Sequence, residues 1–600
     1  MMTDLLDTPA TVDASPAVDP PRTTGRRGLV VSMLVTGVVV AAARWAFSGD
    51  RKVFHVSPDE PSQLAIARWL AGERRWNMFD HATWQPGLGT LLTPIYWFTD
   101  DGETAVRWAL ATNAAIAGIS AAVLVLLTRR LTSLPALWCG VVAALAAAAP
   151  ASLSASSFVW AEPLVSLSFV LTIVLLIRWY DTGALVTGLA AIAVSVGGFT
   201  SHSRLLPLVA TTVALTVGAA AWRRRWAHAA ALAATSALSF LGSAAWTRWI
   251  LANVWDDPSD QNTVGAVRDR IDRPLDVAEA LLGQVWYQLA ATVGVAMIGA
   301  FVIGRSALRS RHTDPFERLR TIDARIVVVS TLPMIGLSAV FMSGRSRPDQ
   351  FIYGRYNDAI VWPIIVVGLA WIGRRATGGF ERRHVALAAV TAAMILGLGY
   401  AVDQLHGDAI RERYGVRGMI AGLLGFVDGD NTLDVWRTSL IATALFAATI
   451  GIAALAGAPR LPRRASRAVL GIGAAAALLV LGVAVVRTED VADLRLNGWT
   501  AAAQVATVDD LVPPGLPLGV RPVPNSRDPI VEFVPQRQRF QLYQLYLPQR
   551  SFVRDRGVDD DVGPYVFAPL QDPDMLEAGA TVVWRDPSIS IALWLEPTDD

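Results

Sequence analysis

Apolar runs of membrane length alternate with short polar connections along most of this chain. The first runs from about Gly28 to Phe47, and others follow at 105–128, 134–150, 160–178, 184–200, 205–221, 227–250, 283–304, 324–342, 358–373, 384–402, 435–456 and 467–486. A helix of roughly 20 apolar residues crosses a bilayer core, so the pattern predicts about thirteen transmembrane helices and an α-helical polytopic membrane protein. Small residues at Ala41, Ala42 and Ala43 resemble a cleavage site, but the run is long enough to be retained as a span.

The connections divide by charge. Arg129 and Arg130, Arg178, Arg223 to Arg225, the cluster between Arg305 and Arg320, Arg374, Arg375, Arg382 and Arg383, and Arg460 to Arg467 fall on every second connection. Cytoplasmic loops are the basic ones, which places the N-terminus in the cytoplasm. Residues 1–27 then read as a disordered cytoplasmic tail and 28–486 as the transmembrane domain. From 487 to 600 hydropathy falls, prolines multiply, and short alternating runs (Val531 to Val534, Thr581 to Trp584) predict a small α/β domain on the extracytoplasmic side.

Composition agrees with this class. The chain is 53% hydrophobic and 17% charged, with a mean hydropathy of +0.40. Its net charge of +1, with arginines in clusters between apolar runs, argues against a nucleic-acid partner. Cys139 is the single cysteine and lies in an apolar run, which excludes an internal disulfide and a cysteine-based metal site. The middles of the spans hold few ionisable residues, whereas a transporter more often places charge at the bilayer midplane.

Candidate chemistry therefore gathers in the outer loops. The loop 48–104 carries Asp59-Glu60 and then an aromatic half with Trp76, Phe79, Trp84, Tyr96, Trp97 and Phe98. Pro61 suits the first position of a helix, which makes Glu60 the cap and leaves Asp59 just outside. Leu64, Ala67, Leu70 and Ala71 fall on one face of that helix and Arg68, Glu73, Arg74 and Arg75 elsewhere, as for a helix lying along the bilayer surface. An acidic dipeptide at a helix start is ordinarily a cap. Asp80 and His81 follow in an aromatic turn, where a lone histidine is more often structural than reactive.

Two outer segments break the charge rule. Arg204, beside His202 in Thr200-Ser201-His202-Ser203-Arg204, needs an anionic partner, for which lipid phosphate is the plain candidate. Arg345, Arg347 and Arg355 share a loop with Tyr353 and Tyr356, and the planar guanidinium fork fits phosphate oxygens bidentately. Glu162, in Trp160-Ala161-Glu162-Pro163, is a further outer carboxylate that either supports a site or caps a helix. The clusters Asp256, Asp257, Asp260 and Asp428, Asp430, Asp434 lack EF-hand spacing and read as solvated loops.

The order and sidedness of these pieces resemble the GT-C class of membrane glycosyltransferases, in particular bacterial relatives of the protein O-mannosyltransferases and the lipid A aminoarabinose transferase, a family 39/83-like group. The matching residues are Asp59-Glu60, Gln85-Pro86-Gly87-Leu88, Glu162, Arg178 to Gly183, Arg204 and Gly354-Arg355-Tyr356, spanning about residues 28 to 375. Relatives often have His-Pro-Pro-Leu where this chain has Gln85 to Leu88. The resemblance implies a GT-C-like bundle with a large catalytic first outer loop, a polyprenyl-phosphate sugar as donor, and a hydroxyl acceptor of the cell envelope at the outer face of a bacterial plasma membrane, among membrane lipids.

Such a reaction needs a base for the acceptor proton and cations for the phosphate that leaves. Asp59 is the candidate base with Glu60 as its catalytic neighbour. Glu162, His81 and Asp80 are the candidate supports for acceptor or base. Arg355 and Arg204, with Tyr356, His202, Arg345 and Arg347, are the candidate phosphate ligands. No cofactor is assigned, with a divalent cation left open and no metal ligands named. The competing expectation is a transporter or flippase for a lipid-linked or anionic envelope precursor.

Overall fold

The computed structural model describes residues 26–458 apart from 50, 55–58, 74–77, 79–83, 256–263, 310–318, 345–349, 413–421, 424 and 428–431. Beyond a few scattered positions up to 486, it also describes 500–521, 540–554 (without 542), 563–586 and 591–597.

The bundle begins with α1 (Arg26–Phe47). The first loop then supplies α2 (Asp59–Leu70), α3 (Gly87–Leu92) and a 3-10 turn at Thr93–Trp97. After α4 (Gly102–Thr132) come α5 (Ala136–Ala147), α6 (Pro150–Ser154), α7 (Glu162–Thr182), α8 (Leu185–Ser201), α9 (Leu206–Trp222) and α10 (Trp226–Val254). The second half holds α11 (Val264–Ile271), α12 (Pro274–Ala291), α13 (Val295–Leu308), α14 (Thr321–Met342), α15 (Arg355–Asp358), α16 (Trp362–Gly378), α17 (Arg382–Glu412) and α18 (Val435–Ala456).

Among the described residues eight helices are long and apolar enough to cross a membrane, or ten if each of two bent pairs is one span, and the chain is a multi-pass membrane protein. Thirteen spans are not reached among the described residues. The run expected as one span at 283–304 is two helices, α12 and α13, meeting at 112°. Val293 and Gly294 both take left-handed backbone there, with φ of 48° and 74°, so the helix cannot continue through them. The run at 134–150 breaks before Pro150, whose predecessor Ala149 is extended (ψ 151°) as the proline ring requires, and the flanking segments bend by 61°. Helix α8 has 17 residues and extends only about 25 Å. The expected span at 467–486 lies almost wholly outside the described residues, as does the run Val531 to Val534.

The first loop is packed rather than spread on the bilayer. In α2 every residue from Asp59 to Trp69 is buried, including Ser62, Gln63 and Arg68, so the surface-helix expectation is corrected. Helix α2 begins at Asp59, which puts Asp59 and Glu60 in its first turn and Pro61 after them. Its polar side is covered by protein: the Gln63 carboxamide accepts the Gly89 N–H at 2.9 Å, and Arg68 donates to Glu73 and to the Pro548 carbonyl. Leu64, Ile66, Leu88, Leu92, Ala105, Ala109 and Leu545 close one apolar cluster around it.

That last residue belongs to the C-terminal part. Strands β1 (Leu518–Val520), β2 (Phe552–Arg554), β3 (Tyr565–Pro569), β4 (Thr581–Arg585) and β5 (Ile591–Leu595), with α19 (Pro573–Glu577), form a mixed sheet in the order β2-β1-β3-β5-β4. The strand expected at Thr581 to Trp584 is β4. Tyr546 reaches Glu103 at 3.5 Å, so this small domain sits at the end of the bundle that carries the first loop. At the far end Arg130 pairs with Asp181 (2.8 Å) and Asp323 (2.7 Å), and Arg320 with Asp181 (2.8 Å), which ties α4, α7 and α14 together.

Candidate active site

Four segments distant in sequence bring charge to one buried point at the loop end of the bundle. Asp59 starts α2, Glu162 starts α7, Arg204 lies in the turn between α8 and α9, and Arg355 starts α15. Arg355 donates through Nη1 to the Asp59 carboxylate and through Nε to Glu162 Oε1 at 2.5 Å. Arg204 donates through Nη2 to the same Glu162 oxygen at 2.9 Å and through Nη1 to the Arg355 carbonyl at 3.3 Å. The order is thus Asp59, Arg355, Glu162, Arg204. Arg355, Glu162 and Arg204 are 6%, 6% and 4% exposed, deep enough that each charge requires its partner.

Local structure explains the convergence. Pro163 sits in the first turn of α7, where its missing N–H costs nothing, so the helix starts at Glu162 beside the site. The segment before it leaves the preceding 3-10 turn through an extended Phe158 and is held from both sides. Glu60 Oε1 accepts the Val159 N–H at 2.7 Å, while Asn113 on α4 donates to the carbonyls of Phe158 (3.2 Å) and Trp160 (3.0 Å). This clamp lays the Trp160 ring under the Arg355 guanidinium, 3.6 Å from its centroid, with Phe158 stacked behind it at 4.0 Å. Arg204 in turn lies over the Tyr356 ring at 4.5 Å, and Tyr356 meets Tyr353 and His202 edge-on at 4.6 and 5.6 Å.

His202 accepts the Arg204 backbone N–H at 3.3 Å. Burial, and then the Arg204 guanidinium, hold its pKa well below the ordinary histidine range, so it is neutral at physiological pH. Asp358, at the end of α15, accepts from Tyr287 and Gln288, both at 2.8 Å. Burial pushes its carboxyl up to about 7.

A pocket opens beside this chain of charges, lined among others by Arg44, Trp160, Glu162, Arg355, Asp358 and Trp362. Several buried polar atoms around it have no hydrogen-bond partner among the described residues: Glu162 Oε2, Arg204 Nε, Trp160 Nε1 and Arg44 Nε. Native proteins leave few such groups, and a cluster of them beside a pocket suits a site whose partners arrive with a ligand.

Of the residues expected from the sequence, Asp59, Glu162, Arg204 and Arg355 form one network, Tyr356 and His202 pack on it, and Glu60 clamps the segment beneath it. Asp80, His81, Arg345 and Arg347 lie outside the described residues. Among the described residues no group of three or more His, Cys, Asp and Glu side chains is placed to hold a metal ion. Trp160 and Arg44 had no place in the sequence expectation. Arg44 falls within an apolar run, and the signal that marks it is the one that marks Arg204: an arginine at the end of a span away from the arginine-rich connections.

No protein-family model matches the chain, and no curated protein matches it. Among solved structures it is similar to the crystal structure of ArnT from Cupriavidus metallidurans bound to undecaprenyl phosphate, with 15% identity and a TM-score of 0.50, over 96% of this chain and 99% of that one. The apo state of that protein compares at 16% identity and a TM-score of 0.49, over 94% and 98%. At such identity the likeness to the lipid-bound structure shows the fold, and it agrees with the GT-C-like bundle and C-terminal domain expected from the sequence.

Proposed function

We propose that the chain is a membrane glycosyltransferase that moves a sugar from a polyprenyl-phosphate donor to a hydroxyl acceptor of the cell envelope. The observation that carries this reading is the buried alternation Asp59, Arg355, Glu162, Arg204 beside a pocket at one end of an apolar bundle. A structural likeness to a protein crystallised with undecaprenyl phosphate supports the donor class. On this reading the site faces the outside of a bacterial plasma membrane, with the N-terminus cytoplasmic and residues 487–600 outside.

The charge chain suits the reaction step by step. Asp59 takes the acceptor proton as the acceptor oxygen attacks the anomeric carbon. The bond from that carbon to the phosphate oxygen breaks, and its electron pair leaves with the polyprenyl phosphate. One negative charge thereby disappears from Asp59 and one appears on the phosphate. Arg355, paired with Asp59 at rest, is released at the moment the phosphate needs it, and electrostatic stabilisation is strongest where charge develops. Attack opposite the leaving group inverts configuration. Glu162 keeps the two guanidiniums oriented, Glu60 holds the Trp160 platform, and neutral His202 and Tyr356 fix Arg204.

The test is transfer in proteoliposomes supplied with labelled polyprenyl-phosphate sugar and envelope acceptors. Asp59→Asn should lower the rate by roughly 10²–10⁴-fold, the range for loss of a general base, while the variant still melts cooperatively. Full transfer by Asp59→Asn removes Asp59 as the base. Movement of the lipid-linked sugar across sealed vesicles with no covalent product replaces transferase by transporter.

A further inference from the structure

Three arginines reach the pocket region, and two are already neutralised from within. Arg355 is paired with Asp59 and Glu162, and Arg204 with Glu162. The third is Arg44, near the end of α1. It is 3% exposed, lines the pocket together with Glu162, Arg355 and Trp160, and its guanidinium has neither a hydrogen bond nor an ion pair among the described residues. Asp358 lines the same pocket, but its two oxygens accept from Tyr287 and Gln288. A buried, unpaired guanidinium is costly and persists only where something else repays the burial.

We propose that Arg44 binds the phosphate of the incoming donor, as the one arginine lining the pocket that no carboxylate among the described residues neutralises. The inference rests on the glycosyltransferase reading for the identity of the ligand. The charge count fits that ligand: a polyprenyl-phosphate sugar is a phosphodiester with a single negative charge, and Arg44 offers a single unpaired positive one. The planar fork of Arg44 can take two phosphate oxygens while Trp160 and Trp362 wall the pocket. The assignment also divides the arginines by stage. Arg44 holds the donor before reaction, and Arg355 joins when Asp59 accepts the proton.

The shared chemistry is a phosphate ester, which polyprenyl phosphate, a phospholipid headgroup or free phosphate could each present. Tryptophan fluorescence of the full chain in nanodiscs would follow titration with polyprenyl phosphate, phosphatidylglycerol and inorganic phosphate in parallel. Arg44→Met should weaken polyprenyl phosphate binding by roughly 10- to 100-fold, the scale of a lost charge-assisted hydrogen-bond pair. It should leave the melting temperature of the ligand-free protein unchanged or higher, because a buried unpaired charge has been removed. An arginine that merely held the fold together would give the opposite, a lower melting temperature with unaltered binding by the folded fraction. Arg44→Lys, which keeps the charge and loses the fork, should fall between. Equal binding of polyprenyl phosphate by wild type and Arg44→Met overturns the assignment, as does an effect confined to phosphatidylglycerol. Wild type that transfers sugar with a KM unmoved by Arg44→Met sinks the inference and spares the transferase reading. Arg44-dependent binding of inorganic phosphate in a protein that transfers no sugar does the reverse.

Discussion

Glu162 is a buried carboxylate shared by two buried guanidiniums. One of its oxygens accepts from both Arg355 and Arg204, and the other has no hydrogen-bond partner among the described residues. Glu162→Gln keeps the shape and removes the charge shared by two buried guanidiniums, so it should cost about 3–5 kcal/mol, measurable as a fall in melting temperature in detergent. Asp358 supplies a pH test. Burial raises its folded pKa to about 7, and a carboxyl raised in this way contributes stability that is full below its unfolded pKa and is lost as pH rises through the folded value. Thermal stability should therefore decline between about pH 4 and about pH 7, and Asp358→Asn should flatten that decline. At this scale much of the site was legible. Asp59, Glu162, Arg204 and Arg355 each interrupt an apolar pattern at a span end, where charge needs a reason. Arg44 was hidden because a single arginine near the end of a valine- and alanine-rich run reads as snorkelling to the interface, and only coordinates show that it is buried.

The elements owe their placement to close approaches that hydropathy does not record. Gly354 lies so near Tyr287 on α12 that a Cβ there would stand 1.9 Å from the ring. Gly354→Ala must shift the start of α15, and Arg355 with it, so it should reduce transfer sharply at a stability cost of about 1–3 kcal/mol, although no reacting group has changed. Gly89 performs the same service between α3 and α2, where a Cβ would meet Ile66 at 2.7 Å and the Gln63 carbonyl at 2.8 Å. Long helices such as α4, α10 and α17 follow directly from unbroken apolar runs. The 112° turn between α12 and α13 does not, because an apolar run reports that a segment avoids water and says nothing of its direction. The polar side of α2 misled for a related reason. Polar residues on one face suggest solvent, but here their partners come from α3 and from residue 548.

On the scale of the whole molecule, the C-terminal domain and the first loop form one body at the loop end. Leu545 enters the apolar cluster around α2, and Arg68 donates to the Pro548 carbonyl at 2.5 Å. A chain ending at residue 499 should still insert its spans but hold α2 loosely. Hydrogen exchange over 64–70 should then speed up roughly tenfold, equivalent to the loss of one good hydrogen bond, and Arg68→Ala should reproduce part of the effect.

The bond from Arg68 to Pro548 joins residues 480 positions apart. At ribosomal rates of about 5–20 residues per second, the helix that begins with Asp59 waits on the order of half a minute or more for the chain segment that covers it. Spans insert as they emerge, yet the acidic helix reaches its final packing only after residue 548 has been made. A chain that stops between the charge network and residue 548 therefore carries Asp59, Glu162, Arg204 and Arg355 without this cover, so that competence at the site reports synthesis of the C-terminal domain.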